Sequence, residues 1–385
     1  MFMFKIRFFF IINFAFFLMI NSSCSKDIDE IIDTVVVQEN DSVPDVVPKN
    51  AKDSLGIISY IELPPESTNG FGVEDLDVEI ATWFGFKRSS VTHTWDDSNY
   101  NQINIAIPLY DSFNLKTTLF SLPNKIKYWE PYKKAYDNGH EVASHSLNHL
   151  NFEKITSSQI ENELKESKNE INEKMQTVNC LTFAYPYCGS EAYGLTEKYY
   201  IAARSCKNSI QSNKPSDYYD LGGVLCGETT QYFLGEQLND LAQKSIDSNG
   251  WAIYLFHNID IEGGFSVNSQ ELKKHLTYLN QNIDIYWVAT FLDVVKYIKE
   301  REAVSIKVKN QTSNLIEISI TDNLDDSIYN HPITVKKKIP SETIDSSLVV
   351  KQSNVGLDYG IAKLGDSKFV IFNVIPDTGT VSISF

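Results

Sequence analysis

The stretch Ser90–Asn99, SVTHTWDDSN, runs a β-favouring segment straight into two adjacent carboxylates, Asp96 and Asp97. Like charges a few ångströms apart raise one another's pKa unless a cation or a donor intervenes. A strand that ends this way either turns in solvent or meets something positive. Asp, Ser and Asn are ordinary turn formers, so the pair alone fits both readings, and the rest of the chain has to decide between them.

Outward from this segment, between residues 55 and 302, short β-rich runs alternate with amphipathic helical ones. The strand-like runs are SSVTHTW, LKTTLFSL, HEVASHS, CLTFAYPY, YIAARS, WAIYLFHN and IYWVAT. Among the intervening helices, SSQIENELKESKNEINEKMQ carries Ile160, Leu164, Ile171 and Met175 close to a helical period, and QYFLGEQLNDLAQKSID and FLDVVKYIKE read the same way. Such alternation implies a parallel sheet, and about seven repeats fit an α/β fold of distorted (β/α) barrel type better than a short open sheet. From 303 to 385 the period changes to two, which predicts a C-terminal all-β sandwich. That part holds a single histidine, His331, and no cysteine. Chemistry is therefore expected in the barrel, at the C-terminal ends of its strands.

Three other strand ends carry suitable groups. HSLNH puts His145 and His149 four apart directly after EVAS; in a helical turn the two imidazoles would share a face and could offer two nitrogens to one metal. Two His and one carboxylate form a zinc-type set with an open position. One carboxylate of the Asp pair could then bind the cation while its neighbour takes a proton from water. WAIYLFHN carries His257 at its end, just before Asn258, and FAYPYCG bends at Pro186 and brings a Tyr187 backbone N–H to the rim.

In order and type these pieces, TWDDS, HSLNH, YPY and LFH, resemble the polysaccharide deacetylase family, the NodB-like carbohydrate esterases, across roughly Ser90 to Tyr297. The resemblance implies a hydrolase that removes N- or O-linked acetyl groups from a glycan with one divalent metal ion, most readily Zn. It makes Asp96 the general base, Asp97, His145 and His149 the metal ligands, His257 the general acid, and the Tyr187 amide an oxyanion donor. The sequence departs from the family in places. Ser98 stands where Gly often follows the Asp pair, and Ala184 stands where an Arg commonly precedes the proline by two. Arg204, ending YIAARS, is the candidate replacement, and Asp293 is the candidate acidic partner of His257. A glycan-binding lipoprotein that kept the barrel but lost turnover, and a metal-dependent phosphoesterase, are the alternatives. Which acetylated glycan is the partner, and the oligomeric state, are not legible.

The amino terminus, with Lys5 and Arg7, an apolar Phe8–Ile20 run and the ending NSSC, has the grammar of an export signal. Its small-small-Cys ending resembles a bacterial lipoprotein signal, with lipidation at Cys24 after residues 1–24, and SKDIDE resembles the surface-export tag of Bacteroidetes lipoproteins. This implies a lipid anchor in the outer membrane, facing either the cell surface or the periplasm. Residues 25–54, acidic and broken by Pro44 and Pro48, read as a tether. A net charge of −16 argues against nucleic acid as a partner. Cys180 opens a strand that Cys188 follows, roughly 25 Å apart at ~3.3 Å per residue, so at most one disulfide is expected, drawn from Cys188, Cys206 and Cys226, with Cys180 reduced.

Overall fold

The computed structural model describes residues 57–60, 77–189 and 192–385; the leader, Cys24 and the tether lie outside them. Among the described residues no helix is long and apolar enough to cross a membrane.

The β-favouring runs become parallel strands. Ser89–Asp96 has Trp251–Phe256 on one side, and Thr118–Ser121, Glu141–Ser144, Thr182–Ala184 and Ala202–Ser205 follow in order on the other. Closure comes from a single run, residues 221–225. Leu221–Gly222 pairs with Ala202–Ser205, and Val224–Leu225 pairs with Trp251–Phe256. Between these halves Gly223 is obligatory, since a Cβ there would stand 2.7 Å from Arg204 Cδ. The strand Tyr286–Val288 takes only the lower half of Ser89–Asp96, whose upper half is left to Thr118–Ser121. That shared edge distorts the barrel, and the run at residues 221–225, which is not among the seven expected strands, brings the number of strands to eight.

Alternation along each strand separates two apolar surfaces. Outward-facing Trp95, Leu119, Val142 and Phe183 pack against Ile160, Leu164, Ile171 and Met175 on the helix Ser157–Met175, the stripe that its sequence period predicts. Inward-facing Phe120, Ala143, Ala184, Ala202, Trp251 and Ile253 fill the barrel, with Phe291, Val294 and Val295 of the helix Phe291–Ala303 closing its lower end. The three interior alanines leave room for the larger groups beside them. The helix expected over QYFLGEQLNDLAQKSID forms only at Gly235–Asp247, because Gln237 Oε1 accepts from the Phe233 and Leu234 amides and caps the turn there.

The period-two region from 303 to 385 forms strands in two sheets whose apolar faces share one core containing Ile316, Ile318, Val335, Val370, Phe372 and Ile383. One difference from the sequence reading matters. Ile57–Tyr60 pairs with Tyr359–Leu364 and Val78–Ile80 pairs with Ile333–Ile339, so the segment assigned to the barrel from residue 55 gives its first two strands to the sandwich. The barrel is inserted between pieces of the other domain. Tyr297, on the barrel's last helix, is buried in the sandwich core and donates its hydroxyl to Ala81 O at 2.7 Å.

Candidate active site

Asp96 is the last residue of Ser89–Asp96 and is only 2% exposed at the open end of the barrel. The chain then turns through Asp97 (φ 77°) and Ser98 (φ 51°), both left-handed, a conformation that costs L-residues roughly 1–2 kcal/mol each. Ser98 compensates for the missing glycine with its hydroxyl, which accepts from Leu122 N at 2.8 Å. The turn carries the Asp97 carboxylate towards the two histidines.

His145 follows Glu141–Ser144, and its Nδ1 lies 2.8 Å from Ala184 O. A proton donated there leaves Nε2 as a bare lone pair, the usual way a second hydrogen bond fixes the tautomer of a metal ligand. Asp97 Oδ1 lies 3.5 Å from His145 Nε2 and 3.3 Å from His149 Nε2, and one donor atom from each of the three residues lies within 4.8 Å of the others. The histidines are not presented by a helical turn as the spacing predicts. Ser146 (φ 69°) and His149 (φ 59°) are left-handed, and the loop is wound around a buried carboxylate instead. Glu163, from the helix beneath, accepts Leu147 N, Asn148 N and Asn148 Nδ2 at 3.0, 2.8 and 2.7 Å.

Without a cation, burial alone would raise the Asp97 carboxyl, but the hydrogen bond and charge of His145 in its protonated form, with His257 and His149 beyond, outweigh it and hold the group well below the usual carboxylate range. Burial lowers His149, helped by His145 and opposed by both aspartates. Two imidazole nitrogens thus converge on Oδ1 of an ionised carboxylate. This donor set fits a divalent cation held by three ligands with a position open.

Asp96 turns its Oδ2 to the guanidinium of Arg204, and both side chains are buried. Arg204 sits in register beside Ala184 on the adjacent strand, so the arginine enters the space above the missing one from one strand over. His257 follows Trp251–Phe256, the other neighbour of Ser89–Asp96. Gln102, in a wide helical turn at Gln102–Ala106, donates Nε2 to the backbone oxygens of both Asp96 and His257 and so ties the two strand ends together. Burial lowers His257, while Asp96 and Asp97 raise it, and its Nδ1 is buried without a partner. Asp293 is not brought to it. That carboxylate accepts from Thr290 Oγ1 at 2.6 Å at the start of Phe291–Ala303, at the closed end of the barrel.

Tyr187 is left-handed (φ 55°) and sets its exposed ring 4.5 Å from that of His149. The next residue, Cys188, forms a disulfide with Cys206, with Cα atoms 5.5 Å apart, while Cys180 and Cys226 are reduced and buried. The spacing of the cysteines anticipates this outcome. A cleft lined by Leu122, Asn124, Lys125 and Leu147–His149 leads to Asp97.

Two residues that organise the site carry no signal in the sequence reading. Gln102 lies in a stretch without a clear period, and Glu163 is one more charge on a helix rich in them. Only its place beside Leu164, on the buried face, marks it.

The sequence model described as polysaccharide deacetylase matches residues 85–198. A gellan lyase from a Bacillus species is 24% identical over 329 residues, which are 80% of this chain and 13% of that protein; the chain spans only a small part of the curated relative it matches. Among solved structures, the carbohydrate esterase domain of a multidomain xylanase from the hindgut metagenome of Trinervitermes trinervoides is 18% identical, covering 54% of this chain and 89% of that one, with a TM-score of 0.40. A family 4 acetyl xylan esterase from Clostridium thermocellum, in complex with a cobalt ion, is 16% identical over 54% and 90% of the two chains, with a TM-score of 0.39. A pseudoenzyme of the same esterase family from Bacillus anthracis is 16% identical over 54% and 66%, with a TM-score of 0.40.

Proposed function

We propose, from the premise that residues 85–198 belong to the polysaccharide deacetylase family, that this chain is a metal-dependent hydrolase that removes acetyl groups from a glycan. The observation that carries the reading is the convergence of Asp97, His145 and His149 beside a second carboxylate that is held separately by Arg204. Those three residues would hold the cation, with Zn the best match to two imidazoles and one carboxylate. The chemistry a divalent cation supplies there is positive charge, which acidifies a water and polarises a carbonyl oxygen.

The chain's own groups do the rest. Asp96, fixed through Oδ2 by Arg204, accepts the proton of the attacking water at Oδ1, which is buried and has no other partner. The Tyr187 N–H donates to the carbonyl oxygen as charge grows on it. His257, with Nδ1 shut into the interior, gives a proton from Nε2 to the departing amine or alcohol. Acetate is the other product.

The test is acetate release from a panel of N- and O-acetylated glycans, with and without a chelator, alongside metal analysis of the purified chain. One metal per chain and chelator-sensitive release are expected. Tight metal binding by a His149→Ala chain would sink the ligand assignment, and saccharide binding without any acetate release would favour the binding-protein alternative.

A further inference from the structure

Two groups besides the metal ligands must keep fixed places for the reaction to proceed. Arg204 has to hold Asp96 towards the attacking water, and the Tyr187 amide has to face the carbonyl oxygen. They lie on neighbouring strands. Arg204 is in Ala202–Ser205, and Tyr187 is in the turn Pro186–Cys188 that follows Thr182–Ala184. Pairing between these strands runs as far as Ala184 and Arg204, with one more bond from Tyr185 N to Arg204 O at 3.2 Å. Past that point the turn leaves the sheet, and its backbone bonds are local: Cys188 N donates to Tyr185 O and Gly189 N to Pro186 O, both at 3.2 Å. Tyr187 and Cys188 are left-handed, at φ 55° and 60°, a conformation that residues with a side chain keep only where their surroundings impose it.

A covalent link crosses beyond the end of that pairing, the Cys188–Cys206 disulfide. Cys188 is the residue after Tyr187, and Cys206 comes two residues after Arg204. The contact to the arginine is also direct. Arg204 Nη1 donates to Cys206 Sγ at 3.5 Å, while Nη2 donates to Asp96 Oδ2. Arg204 Nε is buried without a partner, so the guanidinium plane is set by the carboxylate, the sulfur and the Phe120 ring, whose centre lies 5.5 Å from Cζ. Sulfur is a weak acceptor, and what it supplies here is a fixed position. Because Ala184 leaves the orienting arginine to the second strand, one bond can reach both groups.

We infer that the Cys188–Cys206 disulfide is a positioning element for the reaction, holding the Tyr187 amide and the Arg204 guanidinium in place relative to one another; this rests on the hydrolase reading above. A plain staple would serve stability and leave turnover of the folded chain alone. A positioning bond acts on groups that work in the transition state, so opening it lowers kcat and leaves KM unchanged. Cys188 is exposed and Cys206 half-buried, whereas Cys180 and Cys226 are buried and reduced, so among the described residues a reductant has this bond to open. The chain is then fully active only where the bond stays closed, which is the condition of oxidising compartments.

The test opens the bond in the full, metal-loaded chain in two ways: by Cys188→Ser with Cys206→Ser, and by treating the folded native chain with tris(2-carboxyethyl)phosphine. The phosphine is oxidised to its oxide with an oxygen from water, and the electron pair it gives, with that water's protons, leaves two thiols. Acetate release from acetylated xylan and from N-acetylglucosamine oligomers is followed together with metal content and melting. Well below the melting point, kcat should fall at least about tenfold with KM and metal content unchanged, and reoxidation should restore the reduced chain. Unchanged kcat in either open form, or metal lost in step with kcat, overturns the inference. A second readout needs no turnover. Arg7, Arg88, Arg204 and Arg301 are the chain's arginines, so nitrogen-15 arginine labelling resolves the Arg204 Nε–H, whose signal should shift or broaden when the bond opens. A signal that ignores the bond overturns the positioning role whether or not acetate is released. A signal that responds in a native chain releasing no acetate leaves the coupling standing and overturns the hydrolase reading instead.

Discussion

Asp96 and Asp97 are chemically identical neighbours that the fold sends to different tasks. The left-handed turn after Asp96 aims one carboxylate at two imidazoles and leaves the other on an arginine. Asp96→Asn should therefore keep the metal and lose the reaction, because an amide cannot accept water's proton; a loss below about tenfold in acetate release would move the base elsewhere. Arg204 makes a sharper case. Breaking a buried ion pair from one side typically costs about 3–5 kcal/mol, so Arg204→Ala should lower both stability and kcat. Ala184 is its in-register neighbour, so adding Ala184→Arg to that variant should return part of the activity. No recovery over the single variant, in matched assays, would show that the two positions do not serve the same carboxylate. Legibility at this scale was high for chemistry and low for support: residues with metal- and proton-handling side chains announce themselves at strand ends, while Gln102 acts through backbone oxygens that leave no trace in sequence.

The element that most controls the metal ligands is the helix Ser157–Met175, through the one carboxylate on its buried face. Glu163 receives three donors from the His145–His149 loop, and partners of this kind are commonly worth 10–100-fold in metal affinity. Glu163→Ala should weaken the metal by about that factor while circular dichroism shows the helix intact; unchanged affinity would mean that the loop holds its own shape. The spacing of four between His145 and His149 was legible, but its conformation was not, since a helical turn and a loop around a buried acid place the rings equally close. At the closed end of the barrel, burial lifts Glu141 from 4.5 to about 7, opposed by Thr182, the Leu292 amide and Thr118. Between those values the folded chain holds a proton that the unfolded chain has released. Glu141 therefore contributes stability that is complete below pH 4.5 and lost as pH rises through 7. Glu141→Gln should flatten that part of the profile, by on the order of 3 kcal/mol at 1.36 kcal/mol per unit. Denaturant midpoints at pH 5 and pH 7.5 that shift equally in both proteins would refute it.

Across the whole molecule, the alternation of strands and helices made the barrel legible, and the period of two did the same for the sandwich. Their interpenetration was hidden because Ile57–Tyr60 and Val78–Ile80 find partners that only the folded chain brings near. A chain cut after residue 302 leaves both strands without partners and strips the sandwich core from Tyr297. It should be insoluble or melt without cooperativity, and a soluble, cooperatively melting fragment of that length would show the barrel to be independent. The same arrangement bears on how the protein is made. Ile57 pairs with Tyr359, some three hundred residues downstream, so during synthesis the leading strands emerge long before their neighbours exist. Unpaired strand edges invite pairing with other chains. Crowded polysomes, or a slowed ribosome, would therefore hurt the yield of this protein most through its first eighty residues, even though the groups assigned to catalysis all come later.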